Sequence, residues 1–219
     1  MEYTVLNHPW PYHYFYHKDH NSLNSFKEIL EYHNEMKCNC PHDEFLSGPR
    51  SSSLKFDPKA ELVEIPNHEI CKLAKNGLDW GMQGTAHGNV QLWMMRHDPK
   101  TISVELPLWL TENELNELGF SYETKGSLSG HVDVIRIEDG KIWIWDFKPK
   151  AEKEKYADTQ ILMYTLMLSY RTKIPLEKFM CGYFDEKTSF IFKPELKHYE
   201  EIKKKIAKPR RKPIRKAQS

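Results

Sequence analysis

Two acids and a lysine occupy the ends of two adjacent predicted strands that are joined by a turn at Asp139-Gly140. Asp133 belongs to the strand that begins at Gly130, and Asp146 and Lys148 end the strand after the turn. Because side chains alternate along a strand, Asp146 and Lys148 project from the same face. Such carboxylates bind a hard divalent cation, and the lysine neutralises a phosphate or orients a water. The alternative is an exposed salt bridge without a ligand.

A helix is predicted to begin near Lys153 and to carry Tyr156, Gln160 and Tyr164 at intervals of four residues. Residues at this spacing share one helical face. The face is polar and aromatic, and we interpret it as one that positions a nucleotide or an attacking water at the strand ends. An aromatic stripe alone more often belongs to a hydrophobic core. The interpretation therefore depends on the strand that directly precedes the helix.

Two upstream residues have chemistry that suits the same site. His87 lies between two small residues on a helix predicted from Met82 to Arg96, which leaves room for a close approach. A histidine beside a buried stripe is, however, more often a core residue than a ligand. Glu105 lies between two aliphatic residues of a predicted strand, where an acid is costly to bury unless it binds a metal or a base.

Taken in order, these motifs resemble those of RecB-like nucleases. This branch of the PD-(D/E)XK superfamily includes CRISPR-associated and mitochondrial single-strand exonucleases. The resemblance covers roughly residues 80–170, and the motifs that carry it are His87, Glu105, Gly130-x-x-Asp133, Asp146-Phe147-Lys148 and Gln160-x-x-x-Tyr164. It implies an α/β fold with a restriction-endonuclease-like core, in which a mixed central β-sheet is flanked by helices.

The resemblance also implies roles for individual residues. The implied ligands of Mg²⁺ or Mn²⁺ are His87, Asp133, Asp146 and the Phe147 carbonyl. The implied catalytic residues are Glu105, Asp133, Asp146, Lys148, Gln160 and Tyr164. Among these, Lys148 is the expected catalytic lysine, and Glu105 matches an acid that assists at the metal. An imidazole among oxygen ligands makes Mn²⁺ as suitable as Mg²⁺.

The cysteines depart from the pattern of relatives that hold an iron–sulfur cluster. Those relatives have one upstream cysteine and three closely spaced cysteines near the C-terminus, whereas here only Cys181 lies downstream. An iron–sulfur cluster is therefore not favoured. The segment Cys38-Asn39-Cys40-Pro41-His42 would supply half of a zinc or cluster site, but no second pair follows at the usual distance. Reduced thiols at Cys38, Cys40, Cys71 and Cys181 are the favoured interpretation.

The positive charge of the chain is concentrated in its C-terminal segment. The net charge is +1, yet nine Lys or Arg and no acid lie between Lys203 and Lys216, which leaves +1 less nine, or −8, for the remainder. Such a segment suits a phosphate backbone, although many such tails are solvated and have no partner. The residues expected to bind nucleic acid are Arg50, Tyr156, Gln160, Tyr164, Lys208, Arg210, Arg211, Lys212 and Arg215.

With 219 residues, the chain is long enough for one sizeable core. We expect an aromatic, histidine-rich arm with a helical region over residues 1–67, a nuclease core over 68–206 and a basic tail over 207–219. No apolar run approaches the length of a membrane span, and the first residues lack a secretory signal pattern. The expected location is the cytoplasm, or the interior of a host cell if the protein is viral.

The favoured function is a metal-dependent exonuclease that hydrolyses phosphodiester bonds from the ends of single-stranded DNA. It would serve DNA repair, recombination or the processing of phage or viral DNA. One alternative is a non-catalytic nucleic-acid-binding or assembly protein on a nuclease fold. Another is a structure-specific endonuclease or an RNase.

Overall fold

A mixed eight-stranded sheet lies at the centre of the structure, a computed structural model that describes residues 1–8, 10–46, 48–120 and 126–206. The strands are β1 (Glu2–His8), β2 (Trp10–Tyr16), β3 (Val63–Pro66), β4 (Thr101–Leu110), β5 (Leu128–Glu138), β6 (Lys141–Phe147), β7 (Phe179–Phe184) and β8 (Thr188–Phe192). Their order across the sheet is β1-β2-β4-β5-β6-β7-β8-β3. Only β6 and β7 are parallel among the neighbouring pairs of these strands.

Helices cover both faces of the sheet and enclose two hydrophobic cores. They are α1 (Lys27–Asn39), α2 (Asp43–Leu46), α3 (Glu69–Trp80), α4 (Ala86–His97), α5 (Glu112–Glu117), α6 (Ala157–Thr172) and α7 (Leu196–Ile206). One core contains residues of α1, α6 and α7, and the other contains residues of α3 and α4. The parallel pair is connected through α6, as a parallel connection requires. The predicted α/β class, with a mixed sheet between helices, is confirmed.

The β5–β6 hairpin follows directly from its sequence. Asp139 and Gly140 have φ angles of 50° and 67°, which the primed two-residue turns of hairpins require. Ile144 of β6 packs into the core with α6, and Trp145 packs into the core with α3 and α4. A strand buried on both faces is expected to be apolar at successive positions. The predicted hairpin and its turn are confirmed.

The N-terminal arm forms a β-hairpin rather than a loose aromatic segment. β1 pairs with β2, and β2 continues the sheet by pairing with β4 at Phe15 and Tyr16. Tyr14 and Tyr16 are buried in the core, whereas Tyr12 and Phe15 are only partly buried. Besides the helices α1 and α2, residues 1–67 thus contribute the strands β1, β2 and β3 to the sheet. The division at residues 67 and 206 stays a prediction, and both sides of residue 67 contribute strands to one sheet.

Ser25, followed by Glu28 three residues later, predicts a serine cap at the start of a helix, but α1 has no such cap. A short 3-10 turn covers Asn21–Ser25, and α1 follows Phe26 with no side-chain cap. The buried side chains of α1 are Ile29, Tyr32, His33 and Met36, whereas Leu30 is only partly buried.

The bounds predicted for α3 and α4 also need correction. The first helix does not end at Gly77 but continues to Trp80, followed by Gly81 at a φ of 60°. Gly77 instead permits close packing against α4, because a Cβ there would lie 2.7 Å from Val90 Cα. Met82, predicted as part of a buried stripe, is 69% exposed and precedes α4.

The sequence predicts a last helix from Leu196 to Ile206, and α7 has these bounds. The basic residues expected to bind nucleic acid beyond it lie outside the described residues: Lys208, Arg210, Arg211, Lys212 and Arg215. Within the described parts of the chain, no helix has the length and hydrophobicity needed to cross a bilayer.

Candidate active site

The β5–β6 hairpin brings Asp133 and Asp146 together beneath the end of β6. The backbone N–H of Phe147 donates a hydrogen bond of 2.9 Å to Asp133 Oδ2. Lys148 Nζ lies 2.5 Å from Asp146 Oδ2. Both carboxylates are buried, and the lysine is only partly buried. The two acids and the lysine are therefore gathered at one point, as their positions on the hairpin predict.

Helix α6 contributes an amide that contacts both Lys148 and Asp146. Gln160 Oε1 accepts a hydrogen bond of 3.1 Å from Lys148 Nζ. Its Nε2 donates to Asp146 Oδ1 at 3.4 Å and to the Tyr164 hydroxyl at 2.9 Å. This chain of contacts fixes the amide orientation and ties α6 to the end of β6.

Tyr156 does not join this network. It precedes α6 as the N-cap, and its ring centroid lies 6.0 Å from Lys55 Nζ. The prediction that Tyr156 shares a helical face with Gln160 and Tyr164 is wrong, because the helix begins only at Ala157.

Gly130 has a steric role in the site. A Cβ at this position would lie 2.4 Å from Tyr164 Cε1, a distance that no packed carbon tolerates. The absence of a side chain therefore lets the Tyr164 ring lie directly against β5. This contact explains why Gly130 and Tyr164 occur in the same motif set.

His87 approaches the acids from the first turn of α4. The helix is capped by Thr85, whose side chain accepts a hydrogen bond of 3.0 Å from the N–H of Gly88. His87 Nε2 lies 3.6 Å from Asp133 Oδ2, and 44% of its side chain is exposed. The imidazole thus has one side toward the carboxylates and one toward solvent, unlike a core histidine.

Glu105 lies at a local distortion of β4. Its φ angle is 57°, unusual for a residue other than glycine. The residues on either side, Val104 and Leu106, pack into the cores on opposite faces of the sheet. Strained backbone of this kind is found at functional sites, where the surrounding structure maintains it.

Gln91 is a site residue that the sequence analysis missed. Its Nε2 donates a hydrogen bond of 2.7 Å to Glu105 Oε1. Gln91 follows His87 by four residues and therefore lies on the same face of α4. The spacing of four residues from His87 is the feature of the sequence that could have identified Gln91 as a site residue.

Glu105, Asp133 and Asp146 form what we call the acid cluster. Burial is the main cause that raises the pKa of Asp133 and of Asp146 to about 7. Repulsion from Glu105 adds to the increase at Asp133, and repulsion from Asp133 adds to it at Asp146. Burial also raises the pKa of Glu105 to about 7, against the hydrogen bond from Gln91. Buried acids with mutual repulsion are typical of functional sites.

The acid cluster fits a hard divalent cation. The Lys148 ammonium contacts Asp146 Oδ2, and the His87 imidazole lies 3.6 Å from Asp133 Oδ2. Carboxylate oxygens with one imidazole suit Mg²⁺ or Mn²⁺. Lys148 keeps its positive charge: burial opposes it, but the carboxylates of Asp146 and Asp133 raise its pKa.

Arg50 is partly buried beside β5, where its backbone bridges to Ser129. Its Nη2 lies 3.0 Å from His131 Nδ1, and its guanidinium lies 5.3 Å from the centre of the Tyr12 ring. Its charge also acts to lower the pKa of Glu105, against the larger effect of burial. The arginine predicted to bind a phosphate therefore lies close to the acid cluster.

A cleft of about 480 Å³ opens beside this site. Tyr12 and Phe15 of β2 line one side, and residues around the N-terminus of α4 line the other. His87 and Glu105 also line the cleft, so it opens onto the acid cluster.

The four cysteines are not gathered into an iron–sulfur site. Cys71 is buried in the core with α3 and α4, whereas Cys181 is buried in the core with α6. Cys38 is exposed and Cys40 is partly buried, and all four are free thiols. The residues therefore do not fit a cluster held by four cysteines.

Fold and site together define an α/β protein with a buried acid–lysine centre suited to metal-dependent hydrolysis. The sequence model of the PD-(D/E)XK nuclease superfamily matches residues 68–216, more than half of the chain. The chain belongs to the PD-(D/E)XK nuclease superfamily. Its members are generally metal-dependent nucleases that typically use Mg²⁺ or Mn²⁺, and the mixed sheet is consistent with a restriction-endonuclease-like core. No curated protein matches the chain.

Proposed function

We propose that this protein is a metal-dependent exodeoxyribonuclease of the RecB-like branch that degrades single-stranded DNA from its ends. DNA repair, recombination or phage or viral DNA processing would be its setting. One observation carries the proposal: the buried Asp133 and Asp146 meet a charged lysine and a half-exposed histidine, beside a cleft that His87 and Glu105 line. The motif order on the chain supports the RecB-like branch.

The proposed ligands of Mg²⁺ or Mn²⁺ are His87, Asp133, Asp146 and the Phe147 carbonyl. A cation at this position would polarise the scissile phosphate and lower the pKa of the attacking water. Glu105 would assist beside these ligands, held by Gln91. Lys148 would neutralise charge that develops on the phosphate, and this type of electrostatic stabilisation is often the largest contribution to catalysis.

Gln160 would hold the side chains of Lys148 and Asp146 in fixed positions relative to each other, because its amide contacts both. Tyr164 would hold that amide through its hydroxyl. Both residues therefore act in the proposal by positioning the lysine and by shaping the surface that a nucleotide meets.

The cleft favours a single strand as the substrate. Unpaired bases have free faces that stack on aromatic side chains such as Tyr12 and Phe15. The capped N-terminus of α4, on the opposite side, offers backbone N–H groups to a phosphate. Arg50 would bind a further phosphate, as would the basic tail after Ile206. A duplex has no such free faces.

The direct test is the digestion of 5′- and 3′-labelled DNA by the parent protein, Asp146→Asn and Lys148→Ala, with Mg²⁺ or Mn²⁺ and with chelator. Linear single strands should be degraded by the parent and not by either variant. The exposed lysine variant Lys153→Ala is the matched control and should retain activity. Equal activity in the parent and both variants would contradict the site assignment.

Substrate form separates this proposal from its alternatives. A circular single strand should survive, because it has no end; cleavage of the circle would favour an endonuclease. Preferential digestion of an RNA of the same sequence would favour an RNase. Binding of DNA with no digestion under any metal would favour the non-catalytic alternative.

The tail is tested by deleting residues 207–219, which contain six of the nine basic residues of the C-terminal segment. If the tail contacts phosphates, DNA binding should weaken, and the logarithmic salt dependence should become shallower by about 0.7 for each lost contact to a single strand. An unchanged slope would assign the tail to another task.

A further inference from the structure

A second group of metal-ligand side chains lies away from the acid cluster. It consists of His8 at the end of β1, Cys40 just after α1 and His42 just before α2, and we call it the histidine–cysteine cluster. One ligand atom from each residue lies within 4.8 Å of the other two. His8 Nε2 is 3.1 Å from His42 Nδ1 and 3.4 Å from Cys40 Sγ.

These separations match the edges of a zinc tetrahedron. Bond lengths of about 2.05 Å to nitrogen and about 2.3 Å to sulfur place two nitrogens ~3.3 Å apart and nitrogen and sulfur ~3.6 Å apart. The two separations from His8 Nε2 are a few tenths of an ångström shorter than these edges, and the ligand atoms of Cys40 and His42 lie within 4.8 Å of each other.

The central ligand is already oriented by its surroundings. His8 is fully buried, and its ring stacks on Phe45 with 3.9 Å between ring centres. His8 Nδ1 lies 2.8 Å from His131 Nε2, so a neighbour on β5 holds the nitrogen that faces away from the cluster. Arg50 Nη2 donates to His131 Nδ1 at 3.0 Å, so a neutral His131 donates from Nε2 to His8 Nδ1 in the absence of a metal. A metal-bound His8 donates from Nδ1–H instead, so binding of an ion at His8 Nε2 would shift the His131 proton to Nδ1 and release the contact with Arg50.

We propose that His8, Cys40 and His42 bind one Zn²⁺ ion that fastens the end of β1 to the segment between α1 and α2. Two imidazoles and a thiolate are borderline and soft ligands, which suit Zn²⁺ and are unsuited to Mg²⁺. Three protein ligands leave the fourth position for a water. The ion connects the end of β1 with the segment between α1 and α2, and His131 relays this connection to the strand that carries Asp133.

The test uses the full chain, purified under reducing conditions, equilibrated with Zn²⁺ and passed through a desalting column. Elemental analysis should give about one zinc per chain for the parent protein. His42→Ala removes an exposed side chain, so it should fold and yet lose most of this zinc. Cys38→Ser alters a neighbouring exposed cysteine outside the cluster, and it should retain the zinc.

Co²⁺ reports whether Cys40 is a ligand. The parent loaded with Co²⁺ should show a thiolate-to-cobalt charge-transfer band and the visible bands of a tetrahedral site. Cys40→Ser should lose the charge-transfer band, and Cys38→Ser should keep it. Asp146→Asn should also keep it, which separates this site from any metal held by the acid cluster.

Three results would overturn the proposal. The first is a parent chain that retains no zinc and shows no charge-transfer band. The second is a Cys40→Ser variant that retains the band of the parent. The third is equal zinc content in the parent and His42→Ala. None of these readouts depends on nuclease activity, so the zinc proposal and the proposed function fail separately.

Discussion

The acid cluster and the histidine–cysteine cluster both meet β5, at Asp133 and at His131, but they differ in donor chemistry and in how the chain assembles them. The acid cluster uses oxygen donors from three neighbouring strands of the sheet, held by α4 and α6. The histidine–cysteine cluster uses nitrogen and sulfur from segments that precede and follow α1. On β5, Asp133 belongs to a cluster suited to hard cations. His131, two residues earlier, contacts a cluster suited to softer cations.

Two clusters that contact the same strand therefore need not bind the same metal or have the same function. Repelling carboxylates at a half-open cleft suit an exchangeable catalytic cation. A buried histidine stacked on an aromatic ring suits an ion that fixes structure. Each of the following changes should affect one cluster and leave the other as it was.

The largest effect should come from Lys148→Ala. Without the ammonium group, charge on the phosphate is no longer neutralised, and we expect a loss of about 10³-fold in the rate of DNA degradation. Single-turnover kinetics at saturating Mn²⁺ measure this rate. The zinc content of the variant should equal that of the parent, and a variant that lost zinc as well would show that the two centres are not independent.

The two clusters should influence stability with opposite dependence on pH. The pKa of Glu105 is raised to about 7 in the folded chain. The stability that its protonation contributes is present below pH ~4.3 and is lost as the pH rises through about 7. Relative to Glu105→Gln, the parent should lose on the order of 3 kcal/mol of unfolding free energy across that interval, measured by urea titration in chelator.

Burial lowers the pKa of His8 to about 4, so its contribution has the opposite sign. The stability due to the neutral imidazole is present above pH ~6.5 and is lost as the pH falls through about 4. Relative to His8→Gln, the parent should therefore lose stability in acid. If both variants shift the curve in the same direction, the contrast between the clusters is wrong.

A smaller effect on stability is expected from Gly130→Ala. The added methyl group would meet the Tyr164 ring at 2.4 Å, and this overpacking should lower the unfolding free energy by about 1–3 kcal/mol. Urea unfolding measures the change. Gly84→Ala is the control, because a Cβ there meets no atom within 4 Å. In a Tyr164→Leu background, the cost of Gly130→Ala should decrease, since the obstructing ring is gone.

The smallest effect should come from Gln91→Ala. The variant loses the hydrogen bond that orients Glu105, and we expect the rate of DNA degradation to fall by about tenfold, which corresponds to ~1.4 kcal/mol. Gln91→Glu should be worse, because it adds a fourth acid to the site. If both variants degrade DNA at the rate of the parent, Glu105 does not assist the reaction.

The sequence predicted the acid cluster well because its signals are local. Asp133 and Asp146 flank a two-residue turn that permits only one pairing, and the Gln160–Tyr164 spacing fixes a helical face.

The histidine–cysteine cluster could not be assembled from sequence. His8 is 32 residues from Cys40, and their meeting depends on β1 and on the segment after α1 coming together in space. The aromatic N-terminal segment gave no clear alternation, so its strands were missed. The φ angle of Glu105 likewise follows from the packing of two opposite cores, which no local pattern encodes.

The first 67 residues pair with two strands that would otherwise lie at the edges of the sheet. β1 and β2 cover the open side of β4, and β3 covers the open side of β8. A chain that began at residue 68, where the superfamily match begins, would present unpaired N–H and C=O groups along both of those strands. Uncovered edge strands invite pairing with other chains and lead to aggregation. With the N-terminal segment present, β1 and β3 are the outer strands, and β4, which carries Glu105, has a neighbouring strand on each side.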